Sequence, residues 1–277
     1  MIQSAVNFST SDCGLIKKLV ENMSIYAKVQ DYSSDIDHNR SVITILGNKD
    51  EVFHSLKECG KLAHLIDLTQ HTGAHPRVGS IDVVPIVPLR DISMEECVEL
   101  AHKVGKMFYE DFEIPVFFYE EACLKEENRF LENCRASEYK TLDLGTKPHP
   151  TMGASCISAR CPLIAYNVNL ATDNIKIAKI IAKEIRDMRK RGNPKMVGVK
   201  AMGLYLEKQN IVQVTTNITR PHLVGPFEVF SFIKKRAKDF GVEVLESELI
   251  GAVPYEVCAD IIQKTLKFRE FDIKRMI

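Results

Sequence analysis

Residues 71–88 read HTGAHPRVGSIDVVPIVP, and this stretch places reactive side chains directly before a strand. Residues 81–87 are mostly β-branched, which predicts a buried strand ended by a proline. On the approach to it, Pro76 biases His75 toward an extended backbone, and the flanking glycines permit positive φ. The sequence therefore predicts a stiff turn that fixes the direction of an imidazole beside a buried strand.

The elements on either side predict an α+β first half. Apolar alternation predicts strands, and apolar residues at helical spacing behind capping residues predict helices. Asn48 with Glu51 and Ser93 with Glu96 each form the pattern of a capping box. The order is strand, helix, paired extended segments, helix, strand, helix, strand, which is typical of an antiparallel or mixed sheet with helices on one side.

Two stretches of the first half lack this periodicity. Residues 31–40 are polar and turn-rich, and residues 124–160 are charged and then rich in Gly and Pro. The second stretch predicts a long irregular connection, and connections of that length inside a compact protein are usually functional.

The second half predicts a separate sheet. A strand at 163–170 is followed by a helix, a hairpin with strands at 201–206 and 211–218, a helix opened by Pro226, and a final strand. Strand, helix, hairpin, helix, strand is the ferredoxin-like order. We therefore expect an α/β (α+β) protein of two ferredoxin-like subdomains, residues 1–162 and 163–277, each with helices packed on one face of its sheet.

Composition excludes several classes of protein. The 277 residues are 45% apolar and 27% charged, which is typical of a folded globular chain. Lys plus Arg and Asp plus Glu both number 37, so no net charge favours nucleic acid or membrane as a partner. The chain lacks a signal-peptide pattern and a membrane-length apolar run, which predicts a cytoplasmic protein. Its eight cysteines contain no Cys-x-x-Cys pair, which favours reduced core residues over disulfides or zinc.

The motifs leave one kind of chemistry. No Gly-x-Gly-x-x-Gly, Walker or Gly-x-Ser-x-Gly motif is present, which argues against dinucleotides, nucleoside triphosphates and a serine elbow. A His flanked by Arg and Asp suits general acid–base transfer without a metal. Taken singly, each residue has a plainer interpretation: the His and Arg as solvated loop residues, and Asp82 as a buried cap of the turn.

The whole stretch resembles the formiminotransferase signature Gly-x-His-Pro-Arg-x-Gly-x-x-Asp. That signature is matched by Gly73, His75, Pro76, Arg77, Gly79 and Asp82. The resemblance spans essentially the whole chain. It implies transfer of the formimino group from N-formimidoyl-L-glutamate to tetrahydrofolate, giving 5-formimidoyltetrahydrofolate and glutamate, as in histidine degradation.

The resemblance also implies roles for individual residues. His75 is expected to take a proton from the attacking amine and give one to the departing nitrogen, Arg77 to meet a substrate carboxylate, and Asp82 to orient the imidazole or pair with the amidine. The expected substrate-binding residues are Asn7, Ser9, Asp37, Asn39, Arg40 and Arg160. The expected folate-binding loop is Gly145, Thr146, Lys147, Pro148, His149, Pro150, Thr151, Met152 and Gly153.

Partners follow from the same resemblance. We expect small-molecule substrates, tetrahydrofolate as co-substrate, no metal, no nucleic acid, no membrane and a homodimer. The basic run Lys183 to Lys200 suits a polyglutamate tail of folate, although such a run is more often the solvated face of a helix. The cyclodeaminase domain of longer family members is not among these residues, so the next step is expected in another protein.

Two alternatives stay open at this point. The sequence does not fix the length of the carboxylate arm, so N-formimidoyl-glycine is a second candidate substrate. Ser33 stands where the two-domain members of the family have an Asp, which raises the hypothesis of a catalytically silent folate-binding paralogue, although Asp35 or Asp37 is able to replace that contact.

Overall fold

The computed structural model describes residues 1–36, 39–72, 76–206, 209–250 and 253–271. The chain divides into two units, Met1–Arg160 and Cys161–Ile277, each built on its own β-sheet. The predicted fold class, α/β with two sheets and packed helices, is confirmed.

The first unit is a ferredoxin-like sheet extended by two parallel strands. Its elements are β1 (Ile2–Phe8), α1 (Cys13–Met23), β2 (Lys28–Asp35), β3 (Arg40–Gly47), α2 (Lys49–Leu62), β4 (Ile81–Pro88), α3 (Met94–Phe112), β5 (Val116–Glu120), α4 (Leu131–Ala136) and β6 (Ser155–Ala159). The strand order is β2-β3-β1-β4-β6-β5. The first four strands pair antiparallel, whereas β6 pairs parallel with both β4 and β5.

Capping side chains explain where the three long helices of the first unit begin. The capping boxes predicted at Asn48 with Glu51 and at Ser93 with Glu96 are both formed, at the starts of α2 and α3. Asp12 caps α1 by accepting a hydrogen bond from the Leu15 amide over 3.0 Å. These side chains satisfy amides that the first helical turn leaves unpaired.

The core lies between the sheet and three helices. Apolar side chains of α1, α2 and α3 pack on one face of the sheet, as predicted. The opposite face of β4, β5 and β6 carries a smaller cluster that includes Phe117, Cys134 and Cys156. The short helix α4 and its connection cover this second face.

Two strands lie where the sequence indicated irregular chain. Strand β2 falls largely within the polar stretch 31–40, because it is an edge strand whose side chains are mostly exposed and need no apolar alternation. Strand β6 falls within the stretch 124–160. All five of its residues are buried, so it has no alternation to detect.

The second unit has the ferredoxin-like order predicted from the sequence. Its elements are β7 (Ile164–Leu170), α5 (Ile175–Lys190), β8 (Val199–Leu206), β9 (Ile211–Ile218), α6 (Pro226–Asp239), β10 (Val244–Ile250) and α7 (Tyr255–Leu266). All pairs are antiparallel in the order β10-β7-β9-β8. Pro226 opens α6 as expected, and the predicted β8–β9 hairpin is formed.

Two further findings concern sequence features. All eight cysteines are free thiols, and four of them are buried. Over the described ranges, the helices are too short or too polar to cross a membrane.

Candidate active site

The candidate site lies at one end of the six-stranded sheet. Antiparallel pairing brings the C-terminal end of β1 beside the N-terminal ends of β3 and β4, with Phe8 opposite Ser41 and Ile81. Because β6 runs parallel to β4, its N-terminal end reaches the same place. The chain segments before β3, β4 and β6 therefore meet around the end of β1.

Asp82 is the buried centre of this site. Its side chain has no exposed surface. Oδ1 accepts a hydrogen bond from the Val78 amide over 2.8 Å, and Oδ2 accepts from Arg40 Nη1 over 2.9 Å and Arg135 Nη2 over 2.8 Å. A buried carboxylate is tolerated when it is paired in this way. Asp82 thus both caps the turn before β4 and holds two guanidinium groups.

Arg40 is fixed from two sides. Besides Asp82, its Nε and Nη2 donate to Oδ1 of Asn7 over 3.1 and 2.8 Å. The Asn7 amide is itself oriented, because Nδ2 donates to the Ala5 carbonyl over 2.8 Å. The structure therefore brings together Asn7, Arg40 and Asp82, three residues selected from the sequence.

Ser9 holds the loop before β4. Its hydroxyl donates to the Gly79 carbonyl over 2.7 Å, its amide donates to the Ser80 carbonyl over 2.9 Å, and the side chain is buried. These bonds join the end of β1 to the loop before β4.

Asn39 connects three segments. Its Oδ1 accepts from the amide and hydroxyl of Ser11 over 2.8 and 2.9 Å, and its Nδ2 donates to the Thr72 carbonyl over 2.9 Å. Its own carbonyl lies 3.0 Å from His71 Nε2. Asn39 has a φ of 45°, a left-handed conformation that Asn tolerates better than most residues. It therefore ties the start of α1 to the segment before the signature.

Arg77 packs against the ring of His71. Its Nη1 contacts Nδ1 of that ring and lies 2.7 Å from Nε2. Burial lowers the pKa of Arg77, the Asp82 charge opposes this shift, and the Arg40 charge adds to it. Arg77 nevertheless stays cationic, because a guanidinium is protonated well above neutral pH.

The Gly/Pro loop at 145–153 is attached to the signature by close backbone contacts. Gly79 and Gly153 form a β-bridge. A Cβ on Gly79 would lie 1.8 Å from the Ala154 oxygen, and one on Gly153, where φ is +66°, would lie 2.1 Å from the Val78 oxygen. Only glycine allows this approach at both positions.

The loop is also ordered from within. The Nδ1 atom of His149 accepts from the amides of Thr151 and Met152 over 3.3 and 3.1 Å, which assigns the ring proton to Nε2. The carbonyls of Thr151 and Met152 accept from Leu68 and Ser80. The Met152 side chain is buried in the main core, so it anchors the loop to the core.

The charge of the site suits an anion. Among the described residues, the guanidinium groups of Arg40 and Arg135 bind the Asp82 carboxylate, and Arg77 lies close enough for the Asp82 and Arg40 charges to shift its pKa. A local excess of positive charge at a partly buried site attracts negatively charged ligands. Across the described ranges, His, Cys, Asp and Glu side chains do not gather in threes that would hold a metal ion.

Comparison with known proteins identifies the family. Residues 1–164 match the N-terminal subdomain of the formiminotransferase domain, and residues 165–270 match the formiminotransferase domain. The chain belongs to the formiminotransferase family. It is a transferase enzyme, as the sequence predicted.

Named relatives of this formiminotransferase cover most of the chain. This chain is 38% identical over 260 residues to the glutamate formimidoyltransferase of Streptococcus pyogenes serotype M1, and the match covers 89% of this chain and 86% of that protein. The enzyme of the same name from Thermoplasma acidophilum is 36% identical over 262 residues, with 88% and 84% covered. The formimidoyltransferase-cyclodeaminase of Gallus gallus is 34% identical over 252 residues, which are 86% of this chain and 46% of that protein.

Four residues that the sequence selected remain. Gly73, His75 and Asp37 lie outside the described residues. Arg160 follows the C-terminal end of β6, where its amide donates to the Ile86 carbonyl over 3.1 Å. Because β6 starts at the site and is five residues long, Arg160 lies roughly 16 Å away along the sheet.

Sequence reasoning missed two residues of the candidate site. Arg135 lies on α4 and binds Asp82, and the Tyr139 hydroxyl donates to the Val78 carbonyl over 2.9 Å. Burial raises the pKa of Tyr139, and the Asp82 charge adds to the shift. Both residues lie in the stretch 124–160, where no periodicity or motif marks an inward side chain.

Proposed function

We propose that this formiminotransferase moves the formimino group of N-formimidoyl-L-glutamate to N5 of tetrahydrofolate, giving 5-formimidoyltetrahydrofolate and glutamate, as in histidine degradation. The observation that carries the proposal is the group of arginines near Asp82, two of which bind its carboxylate and the third of which, Arg77, belongs to the signature. A cationic site suits an amino-acid substrate with two carboxylates. The names of the relatives from Streptococcus pyogenes and Thermoplasma acidophilum support the same substrate.

The reaction requires one proton to be taken and one to be given. The N5 amine attacks the amidine carbon and forms a new carbon–nitrogen bond, and its proton goes to a base. The bond from that carbon to the glutamate nitrogen then breaks, and the departing nitrogen takes up a proton. One imidazole performs both transfers, and the signature assigns them to His75.

Neighbouring residues prepare the substrate site. Arg77, two residues after His75, meets one carboxylate of the glutamate, for which its guanidinium fork is suited. Arg40 donates two hydrogen bonds to Asn7, which fix the Arg40 guanidinium against Asp82. Asp82 holds the turn after Arg77 in place by accepting a hydrogen bond from the Val78 amide.

The Gly145 to Gly153 loop binds the pterin of tetrahydrofolate in this proposal. A pterin is flat and rich in hydrogen-bonding groups, so backbone groups of a fixed loop and a few side chains recognise it. With Nδ1 of His149 used by the loop itself, Nε2–H is the donor that this ring offers. The bridge between Gly79 and Gly153 keeps the two ligand-binding segments together.

A product assay tests the proposal. The purified chain is incubated with tetrahydrofolate and either N-formimidoyl-L-glutamate or N-formimidoyl-glycine, and mass spectrometry measures 5-formimidoyltetrahydrofolate and the released amino acid. We expect stoichiometric glutamate and folate product from the first substrate. Failure to form the folate adduct from either substrate contradicts the proposal and supports the silent paralogue.

A further inference from the structure

Arg135, like Arg40, is a cation of the site that lies outside the family signature. It is in the last turn of α4, and its Nη2 donates to Asp82 Oδ2 over 2.8 Å from 53 residues away in the chain. The preceding residue, Cys134, is fully buried in a cluster with Val83 and Phe117. That packing fixes α4 against the sheet and directs Arg135 toward Asp82.

Arg40 and Arg135 share one carboxylate oxygen, but they are held differently. Arg40 has a second partner in Asn7, which fixes the plane of its guanidinium. Within the described part of the chain, Arg135 donates through Nη2 alone, and 20% of its side-chain surface is exposed. Its Nε is buried without a hydrogen-bond partner, so the donors that a ligand can reach are on the Nη atoms. A ligand carboxylate is the acceptor that a guanidinium fork binds best.

The charge count points to the number of carboxylates in the ligand. The side chains of Arg40, Arg77, Arg135 and Asp82 carry three positive charges and one negative charge, a net charge of about +2 for these four described groups. N-formimidoyl-L-glutamate has two carboxylates, whereas N-formimidoyl-glycine has one. With Arg77 on the first carboxylate, one cation is available for a second.

We propose that Arg135 binds the side-chain carboxylate of N-formimidoyl-L-glutamate and so selects dicarboxylic formimino-amino acids over N-formimidoyl-glycine. The inference rests on the function proposed above. Its competitor is a purely structural role, in which Arg135 only neutralises Asp82. A structural role affects every substrate equally, whereas a specificity role affects only substrates with the second carboxylate.

The experiment compares both substrates in the wild-type chain, R135Q and the control K140Q. Lys140 is on the same connection, is exposed, and pairs only with exposed Glu138 among described residues. For R135Q we expect kcat/KM with N-formimidoyl-L-glutamate to fall by about 10- to 100-fold, mainly through KM. With N-formimidoyl-glycine the change stays within about threefold, and K140Q leaves both values unchanged.

A conservative variant keeps the test decisive. R135K retains the charge and loses the fork, so we expect a smaller loss with the glutamate substrate and none with the glycine substrate. Equal losses for both substrates, in R135Q or in R135K if R135Q does not fold, overturn the inference. A wild-type chain that uses both substrates equally well also overturns it. A wild-type chain that transfers from neither contradicts the proposed function itself, which separates the two failures.

Discussion

Replacing Asp82 with Asn tests whether the buried carboxylate organises the site. Asn keeps the shape of Asp82 and one acceptor oxygen, but it removes the charge that faces Arg40 and Arg135. Both arginine side chains are mostly buried, with 14% and 20% of their surfaces exposed. Removing one partner of a buried ion pair costs about 3–5 kcal/mol of stability. The new amide also directs a donor at a guanidinium, so we expect the first unit to lose stability in this range.

Urea unfolding, followed by circular dichroism, measures this loss. Asp31→Asn is the matched control, because Asp31 is exposed on the edge strand β2, and we expect a change within about 0.5 kcal/mol. The double variant D82N/R135Q should lose less stability than the sum of the losses in D82N and R135Q, because both changes remove the same ion pair. If D82N were as stable as D31N, or if the two losses were additive, the electrostatic account of the cluster would be refuted.

Three further predictions concern the signature and its support. His75→Asn should lower the transfer rate by roughly 100- to 10,000-fold with little change in folate binding, and steady-state kinetics should lose the limb of the pH–rate profile that reports the imidazole. Arg77→Lys should weaken binding of the formimino substrate by about 1–3 kcal/mol and leave folate binding unchanged. Titration calorimetry with each ligand measures both affinities, and equal losses would indicate a structural role. Gly79→Ala should lower the free energy of unfolding by about 1–3 kcal/mol or more, because the new Cβ would lie 1.8 Å from the Ala154 oxygen. Thermal melting will measure this loss against the control Gly14→Ala, whose new Cβ would have its nearest contact at 3.2 Å.

The sequence by itself determined the family and most of the helices and strands, with β2 and β6 as exceptions. Alternating apolar residues and capping pairs such as Asn48 with Glu51 are local signals, and each acts within a few residues of the backbone that it organises. The ferredoxin-like order of the second unit follows from these signals in chain order. The signature that contains Arg77 and Asp82 is equally local, because the turn and the strand after it are continuous in the chain.

Only the tertiary structure decided which residues meet. Strand β6 lies between β4 and β5 and pairs in parallel with both. Because all its residues are buried, its sequence has no alternating pattern from which these partners could be predicted. The placement of β6 takes Arg160 away from the site, and the connection before it brings Arg135 to Asp82. A contact between residues 53 positions apart depends on the path of the whole chain between them. Local sequence patterns therefore predict the strand that carries Asp82 but not the arginine that completes its charge environment.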